Sequence, residues 1–252
     1  MKAVVKTAIA PLRAHACDTA ERVDEALYGW GVEILSNDGN FHHVRTDYGY
    51  YGYICESDLE KSPPIVGRAQ MRRISVSFAD ALDEPKVQGD VLITLPRGAD
   101  VAIFGEVGRY TCVFLADGRT AYVRTAFLEV PRANPFRESI MATAVQYLGT
   151  QYRWGGKTHA GIDCSGLTFM SYHLNGVNIW RDAHYKQGFP IKKIPLEDAR
   201  PADLLYFPGH VAMLLDNDRI IHSSHANDGV MIEQMADIQD LMDTLLYCGS
   251  IF

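Results

Sequence analysis

The 252-residue chain has no apolar run near the roughly 20 residues that a membrane span needs. It also has no polybasic segment. Its 24 Lys and Arg stand against 31 Asp and Glu, a formal charge of −7. That balance gives no electrostatic footprint for nucleic acid or for an anionic membrane surface. There is no Cys-x-x-Cys pair among the five cysteines, Cys17, Cys55, Cys112, Cys164 and Cys248. Their wide spacing and odd number argue against a disulfide framework and against a zinc finger. Free thiols in a reducing compartment are expected. The start, "MKAVVKTAIAPLRAHACD", is broken by Lys6 before an apolar stretch of about 7–15 residues can form a leader. It reads as a first strand, and the chain as cytoplasmic.

What is present is ordinary globular composition, 47% hydrophobic and 22% charged, enough for a core of useful size. The first half is β-like. "GVEIL", "FHHVRT" and "YYGYICESDL" are short, rich in β-branched and aromatic residues, and punctuated by turn residues. A second unit repeats the order with "GADVAIF", "YTCVFLADG" and "TAYVRTAFLEV". Gly49 aligns with Gly118, Tyr53 with Tyr122, Ile54 with Val123 and Leu59 with Leu128. Two small β-barrels are the economical reading, since closure leaves few exposed edges. The first copy has Tyr51, Glu56 and Asp58 where the second has Thr120, Thr125 and Phe127. These are either solvated loop residues or a binding cluster.

"EVPRANPFRES" reads as a linker. Beyond it, Ile140, Ala144, Val145 and Leu148 have helical spacing, stopped by Gly149. Cys164 to Leu174 reads as a second helix, ended by Asn175 and Gly176. "ADLLYF" and "HVAMLLDNDRIIHSS" read as strands, giving an α+β arrangement.

Cys164 stands where that second helix begins, with Asp163 or a neighbour as its cap. A free thiol is only a few per cent ionised at neutral pH, and a helix N-terminus favours its anion. The Cys164 amide is also placed to steady an oxyanion. Small Ser165 and Gly166 let a substrate approach. The base comes from the strands. A three-residue turn at 216–218 pairs Leu215 with Arg219 and sets His222 opposite Ala212. His210 and His222 then share one face as diagonal neighbours, about 7–8 Å apart at the backbone. One residue more or less in the turn would separate them. Thiol, base and orienting group form the general triad. The other four cysteines are assigned to packing or surface. His42, His43, His159 and His173 are read as solvated or structural, and His225, a rival to His222, falls on the opposite face if the strand continues. A zinc site from Cys164, His210 and His222 ranks below the thiol reading, because no fourth ligand stands out.

"DCSGL" (163–167), "RPADLLYFPGHVAMLL" (200–215) and "IIHSS" (220–224), in that order, resemble the NlpC family of cell-wall cysteine peptidases. The likeness covers the chain from about Ser139. It implies an α+β, papain-like cysteine peptidase domain over 132–252, with Cys164 as nucleophile, His210 as base and His222 as third polar residue. The two repeats, 1–62 and 63–131, resemble the bacterial SH3-like domains that accompany such peptidases. Tyr152 in "QYRWGG" matches a family tyrosine close to the nucleophile. Together with "WGGKTHAGIDCSGL" and "IWRDAHYKQG", the arrangement is most similar to γ-D-glutamyl-L-diamino acid endopeptidases. "NIWRDA" departs by lacking a proline before Arg-Asp. The resemblance implies short peptidoglycan stem peptides, L-Ala-γ-D-Glu-diamino acid with a free N-terminus, as substrates in wall recycling, with no cofactor or metal. An ammonium calls for a carboxylate and an aromatic wall: Asp58 with Tyr50 or Tyr51, and Glu56 as the alternative acid. Asp163, Ser165, Arg181 and Asp182 complete the candidate substrate contacts; Arg153 and Lys157 are weaker. The rival readings are a wall-peptide-binding module carrying a degenerate hydrolase, and a thiol amidase or acyltransferase of other specificity.

Overall fold

The two β-rich repeats fold into two sheets with one topology. The structure is a computed structural model and describes residues 1–61 and 70–252. The first sheet comprises β1 (Lys2–Val5), β2 (Ile9–Arg13), β3 (Arg22–Leu27), β4 (Gly31–Asp38), β5 (Phe41–Thr46), β6 (Tyr51–Cys55) and β7 (Leu59–Glu60). The second comprises β8 (Gln70–Ile74), β9 (Phe78–Leu82), β10 (Val91–Pro96), β11 (Asp100–Val107), β12 (Tyr110–Phe114), β13 (Thr120–Arg124) and β14 (Leu128–Glu129). Among the described residues their spatial orders are β3-β2-β6-β5-β4-β1-β7 and β10-β9-β13-β12-β11-β8-β14, so each strand has its counterpart seven places on. Matching 3₁₀ turns, Glu56–Asp58 and Thr125–Phe127, join the last two strands of each copy. The aligned Gly49 and Gly118 both take positive φ, +84° and +89°, which a side chain would resist.

Alternation sets the faces of these strands. In β13, Ala121 and Val123 are buried while Thr120 is exposed. Tyr28 reaches from the first sheet into the core of the second, among Ile74, Leu95 and Val113. Its hydroxyl accepts from the Ala116 amide at 2.6 Å, and Trp30 Nε1 donates to the Gly98 carbonyl at 2.8 Å. The expected boundary between residues 62 and 63 lies outside the described residues.

The chain divides into two compact units, Met1–Pro131 and Arg132–Phe252. The second contains α1 (Arg137–Val145), the short pair β15 (Lys157–Thr158) and β16 (Gly161–Ile162), and α2 (Cys164–His173). Then follow β17 (Lys192–Ile194), β18 (Leu204–Phe207), β19 (His210–Leu214), β20 (Arg219–Ser224), β21 (Gly229–Gln234), α3 (Gln239–Met242) and β22 (Tyr247–Ser250). The long strands form one antiparallel sheet in the order β17-β22-β18-β19-β20-β21. Helix α2 packs between α1 and strands β19 and β20. Every residue from Cys164 to Tyr172 is buried. Two of its hydroxyls are satisfied within the helix: Ser171 donates to the Leu167 carbonyl at 2.7 Å and Thr168 to that of Ser165 at 3.1 Å.

The apolar face expected for the first helix needs correction. Ile140 and Ala144 are buried, but Val145 is 39% and Leu148 43% exposed. Val145 ends α1 and lies five residues beyond Ile140, about 140° round the helix. The turn that follows sends Tyr147 inward instead, where it is fully buried.

Candidate active site

Helix α2 starts where Asp163 adopts extended backbone and its Oδ1 accepts from the Gly166 amide at 2.6 Å. This is the capping role expected of it. The register of the sheet is also the expected one. Met213 faces Ile221, Leu214 faces Ile220, and the Leu215 amide donates to the Arg219 carbonyl at 2.9 Å. His210 and His222 therefore share a face, and His210 Nε2 lies 2.9 Å from His222 Nδ1. Cys164 meets this strand as well, because the Val211 amide hydrogen-bonds its sulfur. The structure thus gathers α2, β19 and β20 around Cys164, His210 and His222.

The row continues beyond the expected residues. His222 Nε2 lies 2.5 Å from Glu233 Oε2, and Asn227 Nδ2 donates to the same oxygen at 3.1 Å. Glu233 was legible by the reasoning that paired the two histidines. Residues 225–228 join Ser224 to Gly229, so His222 faces Met231 and Glu233 is its diagonal neighbour.

The protonation expected for the sulfur is corrected. Cys164 is 6% exposed, and burial, with the adjacent Asp163 charge, pushes its thiol up to about 11. The Val211 amide and Arg181 oppose that rise without cancelling it. His210 is driven down to about 4, first by burial and then by His222. Burial thus favours the neutral thiol and the neutral imidazole over their charged forms. The helix N-terminus is offset by its own capping carboxylate and by desolvation.

Arg181, Asp163 and Ser165, expected as substrate contacts, are committed to one another. The Arg181 side chain is 1% exposed. Its guanidinium spans both Asp163 oxygens at 3.0 and 3.1 Å, donates to Ser165 Oγ at 2.7 Å and reaches the Gly156 carbonyl at 3.3 Å. Asp163 Oδ2 also accepts from the Gly155 amide at 2.7 Å. The three residues thereby tie the glycine-rich loop to the start of α2. Gly166 completes the join, since a Cβ there would sit 2.1 Å from the Gly156 carbonyl oxygen. Its small size serves this contact rather than substrate approach. Lys157, the weaker candidate, is fully buried with its ammonium 4.2 Å from the Phe169 ring centroid. Asp182 is half-buried, and its carbonyl accepts from the His184 amide at 2.8 Å.

Tyr152 stands beside the sulfur. Its phenol is pushed up to about 12, first by burial and next by Cys164, so it remains a hydrogen-bond donor. His225 lies past the end of β20, so the face argument does not reach it. Its ring meets Tyr152 edge-on at 5.7 Å.

In the first sheet the expected tyrosine–acid cluster is divided. Tyr51 opens β6, whereas Glu56 and Asp58 lie past its other end, about 13 Å away along the strand. Tyr51 instead flanks His43, which stacks on Tyr53 at 4.9 Å. Tyr50 is held in the preceding turn by Thr46 Oγ1, 2.9 Å from its amide. Glu56 is paired with Lys61, which holds its carboxyl low. Asp58 is half-buried, and that burial raises its carboxyl.

Residues 149–240 match the model of the NlpC/P60 family. The chain is 39% identical to dipeptidyl-peptidase 6 of Lysinibacillus sphaericus over the full length of both. It is 26% identical to the gamma-D-glutamyl-L-lysine dipeptidyl-peptidase of Bacillus subtilis (strain 168), across 82% of this chain and 74% of that one. The fold is that of an NlpC/P60 family protein from Bacillus cereus ATCC 10987, with a TM-score of 0.85 at 18% identity over 98% of each chain. With the thiol, the two imidazoles and Glu233 all inside the matched stretch, and a relative 39% identical from end to end, the chain belongs to the NlpC/P60 family of peptidoglycan-related cysteine peptidases.

Proposed function

We propose that the protein hydrolyses the bond between γ-D-glutamate and the following diamino acid in peptidoglycan stem peptides bearing a free N-terminal L-alanine. The observation that carries the chemistry is the His210–His222 hydrogen bond at 2.9 Å, on the strand that meets Cys164. The name of the relative from Bacillus subtilis, a gamma-D-glutamyl-L-lysine dipeptidyl-peptidase, supports the choice of bond.

In this reading the Cys164 S–H bond breaks as its proton passes to His210. The sulfur pair forms a C–S bond to the γ-D-glutamyl carbonyl carbon. The Cys164 amide and the Tyr152 hydroxyl steady the resulting oxyanion. Collapse breaks the C–N bond, and the proton on His210 leaves with the diamino-acid amine. Water, deprotonated by His210, then cleaves the thioester, freeing L-Ala-γ-D-Glu and restoring the thiol. The two β-rich repeats are read as SH3-like domains over 1–62 and 63–131, ahead of a catalytic domain over 132–252. The five cysteines are free thiols, which suits a reducing cytoplasm and a part in wall recycling.

Paired substrates test the specificity. L-Ala-γ-D-Glu-L-Lys should be cleaved, and the same peptide acetylated on its alanine should lose at least about tenfold in kcat/KM, because a desolvated carboxylate would lack its partner. Equal turnover of the two peptides would refute recognition of a free amine.

A further inference from the structure

Glu233 belongs to none of the motifs that point to the family, yet it ends the row that runs from His210 through His222. We propose that Glu233, steadied by Asn227, is a positioning residue that fixes the tautomer of both imidazoles and balances the charge on His210 when that ring takes the thiol proton. The inference rests on Cys164 and His210 acting as nucleophile and base.

The tautomers follow from donor and acceptor roles. A carboxylate only accepts, so the ring nitrogen 2.5 Å from Glu233 Oε2 must carry hydrogen. That nitrogen is His222 Nε2. In a neutral ring, His222 Nδ1 is then bare. His210 Nε2, 2.9 Å away, must donate to it, which leaves His210 Nδ1 bare. A bare Nδ1 is what a thiol proton requires. Without Glu233 either tautomer of His222 would serve, and the alternative would put the lone pair of His210 on the wrong side.

The charge argument uses the same row. When the S–H bond breaks, the proton sits on His210 Nδ1 and the sulfur pair goes to carbon. The new cation is buried and needs a counter-charge. The ionisable groups aligned with that ring are His222 on β20 and Glu233 on β21 behind it, and Cys164, beside Asp163 and Tyr152, meets the same strand through the Val211 amide. Tyr152 is neutral, and Asp163 is balanced by Arg181. Glu233 is the carboxylate that reaches the cation through a hydrogen-bonded ring. Burial lowers both histidines, and Glu233 opposes that fall at His222.

The test is Glu233→Gln in the full chain, assayed on L-Ala-γ-D-Glu-L-Lys across pH. Gln keeps an acceptor but loses the charge. We expect kcat to fall about 10–100-fold with KM within about twofold. A neutral neighbour favours imidazolium less, so the acid limb of kcat/KM should move to lower pH, a shift that mere loosening would not produce. Wild-type kcat and an unmoved acid limb would overturn the proposal. Nitrogen-15 NMR of the wild-type rings gives a readout independent of any variant: both Nε2 atoms protonated and both Nδ1 atoms bare. A neutral His222 protonated on Nδ1 would overturn it equally. Cys164→Ala separates the two levels. Turnover by that variant would sink the underlying reading, whereas a dead Cys164→Ala beside an unaltered Glu233→Gln would sink the role of Glu233 alone.

Discussion

Arg181 shows how far a residue's chemistry can be read without its depth. Its charge, and its place beside Asp182 in "NIWRDA", suggested a contact for an anionic peptide. The fold turns the guanidinium inward onto Asp163, eighteen residues earlier in the chain. Nothing in the local sequence announces that pairing, because it depends on how the loop after α2 returns to the start of the same helix. The expected cap was legible, since an Asp directly before an apolar helix has one favoured use. The sulfur's protonation was not, because burial is a property of the assembled site. Arg181→Leu should leave the Asp163 carboxylate buried and unpaired, at a cost of about 3–5 kcal/mol. Thermal unfolding followed by circular dichroism checks this: a large drop in Tm is expected, and an unchanged Tm would mean that the pair carries little weight.

Strand pairing was the most legible element, because turn length fixes register and register fixes faces. The three-residue turn at 216–218 was enough to align His210 with His222. The following hairpin carries the same information, but "GVMIEQ" holds three successive apolar residues without clean alternation, so its pattern does not single out Glu233. The first helix departs from its apolar periodicity at its end, where a turn replaces the last helical residues and brings Tyr147 inward. Helix α2 adds a constraint that periodicity cannot show, the contact of Gly166 with the backbone of Gly156. Gly166→Ala would drive a methyl against a carbonyl oxygen that cannot swing aside. We expect a loss of about 1–3 kcal/mol and a lower kcat, as the start of α2 moves away from the Tyr152 loop. Chemical denaturation beside steady-state assays checks both; wild-type values for each would show that the loop yields freely.

The whole molecule has two compact units, and the sequence forecast them unequally. The repeat was visible because matched glycines and alternating apolar residues recur in order, and the two sheets share one topology. The way Tyr28 and Trp30 join those sheets was not, since an aromatic residue at the end of a strand does not disclose what it packs against. In the second unit three short motifs carried the family, and the structure supplied the relay among them. The claim on which the rest depends is that the Cys164 sulfur becomes bonded to the γ-D-glutamyl carbon. Mass spectrometry of acid-quenched enzyme, taken during turnover of L-Ala-γ-D-Glu-L-Lys, tests it most directly. The account predicts an L-Ala-γ-D-Glu adduct on the peptide containing Cys164, and neither adduct nor free lysine from a folded Cys164→Ala variant. Release of lysine by that variant at the wild-type rate would contradict it.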